Sequence, residues 1–267
     1  MFKIAEKSML QFFTKCVCII LFVSGITACV TTVEGGGNKN ATPERALGSY
    51  IQLGFGYLQA QNREQARINF NKALGIDRKS VEANEGMALL HQLNGEAKLA
   101  EDFFKAAIRY DGTFARVRNN YGNFLFQHER YEEAYKQFEV AGNDLNYERR
   151  SVALVNLGRT ALKLGNVERA EALFDHALGL DPKLVSALEE LAELKFNKGE
   201  YALAKSYIDQ YGKITKHSAR TLWLGIRLER IFGNKDNEAS YGLALRNLHP
   251  YSQEYLDYKQ SLTESPQ

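Results

Sequence analysis

Between Leu157 and Pro182 the chain reads LGRTALKLGNVERAEALFDHALGLDP. Leu157-Gly158 sits in one periodic segment, and Ala170, Phe174 and Ala177 sit in a second, four and three residues apart. Spacings of three and four place side chains on one face of a helix. Leu164-Gly165-Asn166 supplies turn and capping residues between the segments, and Asp181-Pro182 ends the second. The stretch predicts two helices, with small residues on one and a large ring on the other.

Outward from it the pattern recurs in both directions. Alanines stand at Ala66, Ala100, Ala134, Ala170, Ala204 and Ala239, at intervals of 34 to 36 residues. Twelve residues before the first five stand Gly54, Ala88, Gly122, Gly158 and Ala192; in the sixth the partner is Gly225, fourteen before. Leu53, Met87, Tyr121, Leu157, Leu191 and Leu224 precede these small residues. Phe70, Phe104, Phe138, Phe174, Ile208 and Leu243 follow the alanines by four. A second alanine comes three later in the first four units, at Ala73, Ala107, Ala141 and Ala177, whereas Tyr211 and Arg246 take that place in the last two. The expectation is that Gly or Ala admits the crossing backbone of the partner helix and that the large side chain fills the gap to the next unit. No such unit buries its own face alone, so the units must stack. Gly233-Asn234-Lys235-Asp236-Asn237 reads as a lengthened turn in the sixth, and residues 251–262 read as a polar-faced helix closing the array.

The whole chain has 267 residues, 45% apolar and 25% charged, with a formal net charge of +2. That balance excludes a polytopic membrane protein and a disordered chain. It also leaves no basic excess for nucleic acid. Lys3, Lys7 and Lys15 against Glu6 account for the entire +2, and all three cysteines (Cys16, Cys18, Cys29) lie in the same opening stretch. The apolar run Cys16–Val23 is too short to span a bilayer, and small residues follow it, as in a secretory signal peptide. Once that leader is removed no thiol pair remains, which excludes disulfides, zinc–cysteine sites and thiol catalysis. Residues 30–42 contain Gly35-Gly36-Gly37 without helical periodicity and read as a flexible tether. Thr42 and Pro43 suit the start of a first helix.

Nothing in the sequence supports catalysis, a metal or a cofactor. His91, His128, His176, His217 and His249 are scattered, with no pair at metal-ligand spacing, and no nucleophile-elbow motif occurs. His91 falls where Tyr57 stands in the first unit, which favours packing. Trp223, beside Leu222, Leu224 and Ile226, reads as core. Asp236 and Glu238 lack the alternating oxygen ligands of a calcium loop.

Three resemblances follow from these residues. Ile26-Thr27-Ala28-Cys29 resembles the bacterial lipobox. That resemblance implies cleavage before Cys29 and three acyl chains upon it, enough for firm anchoring; Val30 after the cysteine implies the outer membrane. The repeat resembles the tetratricopeptide repeat, best matched by Leu53-Gly54, Tyr57, Ala66, Phe70 and Ala73 and by Leu157-Gly158, Ala170, Phe174, Ala177 and Pro182. It implies an all-α, right-handed superhelix of about six helix-turn-helix units plus a C-terminal capping helix. The corresponding division is a signal peptide (1–28), an anchor and tether (29–42), six repeats over 43–250 (47–80, 81–114, 115–148, 151–184, 185–217, 218–250), and a cap and tail (251–267). Finally, Arg118–Gly122, Ser218–Arg227 and Glu238–Tyr241, together with the lipobox, are similar to the PilW/PilF family of type IV pilus lipoproteins.

That last resemblance implies a pilotin, an outer-membrane lipoprotein whose repeats face the periplasm. Its partner would be a subunit of the pilus secretin, whose insertion and multimerisation it promotes. The first helix of each tetratricopeptide unit lines the inner face of the array. This implies a partner-binding groove at Ile51, Phe55, Leu58, Leu89, Asn119, Asn123 and Phe126, with an apolar patch in the first unit. Two other readings share parts of the sequence: a repeat scaffold for another envelope machine, and a periplasmic enzyme with a cryptic site, for which no residue cluster is found.

Overall fold

The computed structural model describes residues 42–264; the expectations for the leader, Cys29 and most of the tether lie outside them. All regular structure among the described residues is helical. The helices are α1 (Pro43–Gln59), α2 (Arg63–Ile76), α3 (Val81–Leu93), α4 (Ala97–Tyr110), α5 (Ala115–Gln127), α6 (Tyr131–Asn143) and α7 (Arg150–Lys163). They continue with α8 (Val167–Leu180), α9 (Val185–Asn197), α10 (Tyr201–Ile214), α11 (Ala219–Phe232), α12 (Lys235–Leu248) and α13 (Gln253–Glu264).

Consecutive helices pair as α1–α2 through α11–α12, giving six units, and α13 packs on α11 and α12. The backbone of each odd-numbered helix up to α9 also closely approaches that of the next odd-numbered helix, whereas the backbones of even-numbered helices stay apart. The first helices of the units are therefore the closely spaced layer and line the inside of the bend.

The turn within each unit has one conformation throughout. Its middle residue is left-handed at Gln61, Gly95, Glu129, Gly165, Gly199 and Gly233. Asn62 and Asn166 then cap α2 and α8 by accepting the backbone N–H of Gln65 and Arg169, both at 3.1 Å. Between units, Asp77, Asp111, Asp144 and Asp181 each accept the N–H two residues on, at 2.8 to 3.0 Å. Such side-chain turns reverse the chain without a helix-breaking insertion.

In the first, third, fourth and sixth units the glycine makes room for a ring, not for a crossing backbone as the sequence suggested. A Cβ on Gly158 would stand 2.5 Å from Phe174, and one on Gly122 would stand 2.7 Å from Phe138. Phe70 lies against both Gly54 and Gly86, so it also fills the gap to the next unit. Phe70, Phe104, Phe138 and Phe174 are fully buried or nearly so. Truncating one such ring to Ala costs about 3–5 kcal/mol.

Two expectations fail at the ends. Leu53 is 48% exposed, because no earlier unit covers it. In the sixth unit Ala239 is exposed and Leu243 is 51% exposed. The ring against Gly225 is Tyr241. Tyr241 stands sixteen residues after its glycine, as Phe174 does after Gly158. The true register puts Asn237 and Ala244 in the two alanine places, in lieu of Ala239 and Arg246. The turn is not lengthened: Gly233 is left-handed and α12 starts at Lys235.

Candidate partner-binding face

The inner face is built from α1, α3, α5, α7, α9 and α11, and polar or charged side chains tie each helix from α3 onward to the next. Glu85 on α3 is fully buried. It accepts from Arg116 on α5 at 2.6 Å and from Asn120 at 2.7 Å. Burial pushes the Glu85 carboxyl up, against the opposing pull of Arg116 and Asn120. The Arg116 guanidinium lies between the rings of Phe55 and Phe114, 5.4 and 5.2 Å from their centroids. Further along, Asn156 donates to Asn119 at 3.1 Å. Glu190 receives both Arg159, at 2.8 Å, and Arg220, at 3.0 Å. Burial raises the Glu190 carboxyl too, but two guanidinium groups outweigh it and hold the group below its usual range. Arg227 bonds Glu193 at 3.0 Å and covers Phe196 at 4.4 Å.

Against this geometry the expected groove residues divide. Asn119 is 4% exposed and spent on Asn156, so it is not a lining residue; the closeness of successive inner helices seals it. Ile51, Phe55 and Leu58 are half-buried, not an open patch. Phe55 stands edge-on to Phe70 at 5.2 Å, with Arg116 over it. Leu89 and Phe126 are half-buried and pack on the central core. Asn123 and Phe126 do come together, lining a small cavity of about 90 Å³ with Phe138, Asn156 and Arg159. A larger cleft, of about 380 Å³, is lined by Leu162, Val167 and Leu194 together with Glu193, Lys198 and Arg220.

The sequence reading missed Arg116, Asn156, Glu190, Arg220 and Arg227. One signal was present: Glu85 and Arg116, like Arg159 and Glu190, are opposite charges 31 residues apart. His91 stacks on Phe103 at 5.2 Å and bonds Glu96, which is a packing role. Trp223 is only half-buried, 6.3 Å from the ring of Tyr258 on α13, with Arg227 and Arg230 over its face. Among the described residues no group of His, Cys, Asp and Glu could hold a metal ion, and no helix is long and apolar enough to cross a membrane.

Anchored charges and apolar clefts along an inner helical face have the form of a surface that receives extended or helical protein segments. Comparison with known proteins agrees with the architecture. The tetratricopeptide repeat model matches residues 47–80 and 152–184. The type IV pilus assembly protein PilF of Pseudomonas aeruginosa is 39% identical over 90% of this chain and 96% of its own. The solved structure of Pseudomonas aeruginosa PilF superposes with a TM-score of 0.78, at 40% identity, covering 82% of this chain and 99% of that one. The structure of PilW, described as a widely conserved type IV pilus biogenesis factor, gives a TM-score of 0.71 at 28% identity, covering 80% of this chain and 98% of that one. The chain belongs to the PilF/PilW family of tetratricopeptide-repeat proteins of type IV pilus biogenesis.

Proposed function

We propose that the protein is a pilotin: a lipoprotein held in the outer membrane through Cys29, whose repeats bind the pilus secretin in the periplasm and promote its localisation and multimerisation. The observation that carries this reading is the inner face itself. Its side chains are fixed by bonds between units, so a partner segment meets a preformed surface and little ordering cost is left to binding. The chemistry is non-catalytic. Acyl chains hold the protein at the membrane, and the tether of residues 30–42 gives reach. Local capture raises the effective concentration of secretin subunits where they must assemble.

Three variants test it. Cys29→Ala should leave secretin subunits mislocalised or unassembled. Asn123→Arg, which intrudes on the cavity beside Phe126, and Phe55→Asp should weaken capture. Because Phe55 also covers Phe70, melting of that variant is followed in parallel. The readouts are detergent-resistant secretin multimers and twitching motility. Retention of both in all three variants would end the pilotin reading.

A further inference from the structure

The joint between the fifth and sixth units departs from the repeat. Units one to four bury an alanine near the end of the second helix, at Ala73, Ala107, Ala141 and Ala177, and the fifth places Tyr211 there. The linker that follows lacks the usual Asp turn and brings in His217 instead. The two rings stack at 5.5 Å, and Tyr241 meets His217 edge-on at 5.6 Å. Gly212 is what admits the imidazole: a Cβ there would stand 2.7 Å from His217 Nε2. Stacked rings thus occupy a joint that alanine closes elsewhere, and a cleft opens on either side of them. His217, Leu222 and Ala244 line both clefts, which makes the imidazole a partition.

The two sides differ in chemistry. One, of about 380 Å³, holds Lys205 between Asp209 and Glu229, two carboxylates to one cation, so that side is acidic. The other, of about 530 Å³, has Ile214, Leu222, Ala244 and Leu248 as its apolar surface and Lys213 and Lys216 at its rim, with no carboxylate in its lining. Ile214 is 40% exposed and Leu248 56% exposed. Apolar side chains left open beside unneutralised cations favour an apolar segment that carries carboxylates next to its anchoring residues.

We propose that this second cleft is a docking site for an acid-flanked apolar segment of the secretin subunit, distinct from the inner face. The inference rests on the secretin reading above. Two contacts on one rigid array make the second binding step intramolecular, so modest affinities at each combine.

The test uses the full-length lipoprotein, purified in detergent, and purified secretin of the same organism, with affinity measured at low and raised salt. Lys213→Gln combined with Lys216→Gln should weaken binding about tenfold at low salt and flatten its salt dependence, since the neutral rim no longer attracts the carboxylates of the segment. Leu248→Ser should weaken it by a similar factor at both salt levels. All three positions are exposed, so melting should not change. Equal binding by the unmodified chain and both variants overturns the second site and leaves the secretin reading standing. Failure of the unmodified chain to bind overturns both. Lysine-dependent binding to vesicles of phosphatidylethanolamine and phosphatidylglycerol, or lysine-dependent self-association, with secretin affinity unaltered, assigns the cleft to another occupant and also overturns the proposal.

Discussion

Gly158→Ala puts two physical effects in direct opposition. In a helix interior alanine is favoured over glycine by about 0.8–1.0 kcal/mol, so propensity alone predicts a more stable protein. The structure predicts the reverse. The new methyl would stand 2.5, 2.8 and 3.0 Å from three atoms of the Phe174 ring, which is fully buried. Overpacking of this kind costs about 1–3 kcal/mol. The net expectation is a loss of up to about 2 kcal/mol. Urea unfolding of the purified chain followed by circular dichroism reads this as a lower midpoint. Adding Phe174→Leu to Gly158→Ala should recover part of the loss, because the shorter side chain vacates the space of the ring. A stabilised single variant would refute the assignment of Gly158 as a socket for Phe174 and leave helix propensity as its only role.

The register of the sixth unit is tested by a pair of truncations. Tyr241→Ala should cost about 2 kcal/mol, as a half-buried ring against Gly225, and Leu243→Ala less than about 0.5 kcal/mol; the opposite ranking in thermal melts would restore the register read from Ala239. Glu101 accepts from Lys105 at 2.8 Å, Arg130 at 2.9 Å and Tyr121 at 3.0 Å. Burial pushes its carboxyl up, but these donors prevail and hold it at about 2. Its folded value lies below the unfolded one, so the stability it adds is present above about pH 4.5 and is lost as pH falls toward 2. Screening of the partly exposed partners limits that contribution to about 1–2 kcal/mol. Glu101→Gln should therefore destabilise at pH 7 and much less at pH 2, where the carboxyl is half protonated, as measured by urea midpoints across pH.

The repeat was legible because its determinants lie close in sequence. A glycine and a ring sixteen residues apart, with a turn between, define one helical hairpin whatever surrounds it. The sixth unit was misread for a related reason. Ala239 and Leu243 imitate the alanine and ring at the right mutual spacing but two residues out of phase, and two residues carry a helix to its far face. Gly225 and Tyr241 held the correct phase. The inner face was less legible. Glu85 and Arg116 meet only because α3 and α5 lie side by side, a fact of stacking and not of local pattern. The sealing of Asn119 has the same origin: a position that points inward in a lone unit is covered once its neighbour arrives.

The ties between inner helices give each unit an address. Glu85 finds Arg116 in the third unit, and the corresponding place in the fourth is Val152. If the third unit were lost in a gene rearrangement, Glu85 would face an aliphatic side chain with its charge buried and unanswered. The small residue and its large partner would still fit within every surviving hairpin. The array is thus modular inside its units and ordered between them, so its length can change by duplication or deletion only where the charges of the new neighbours happen to match.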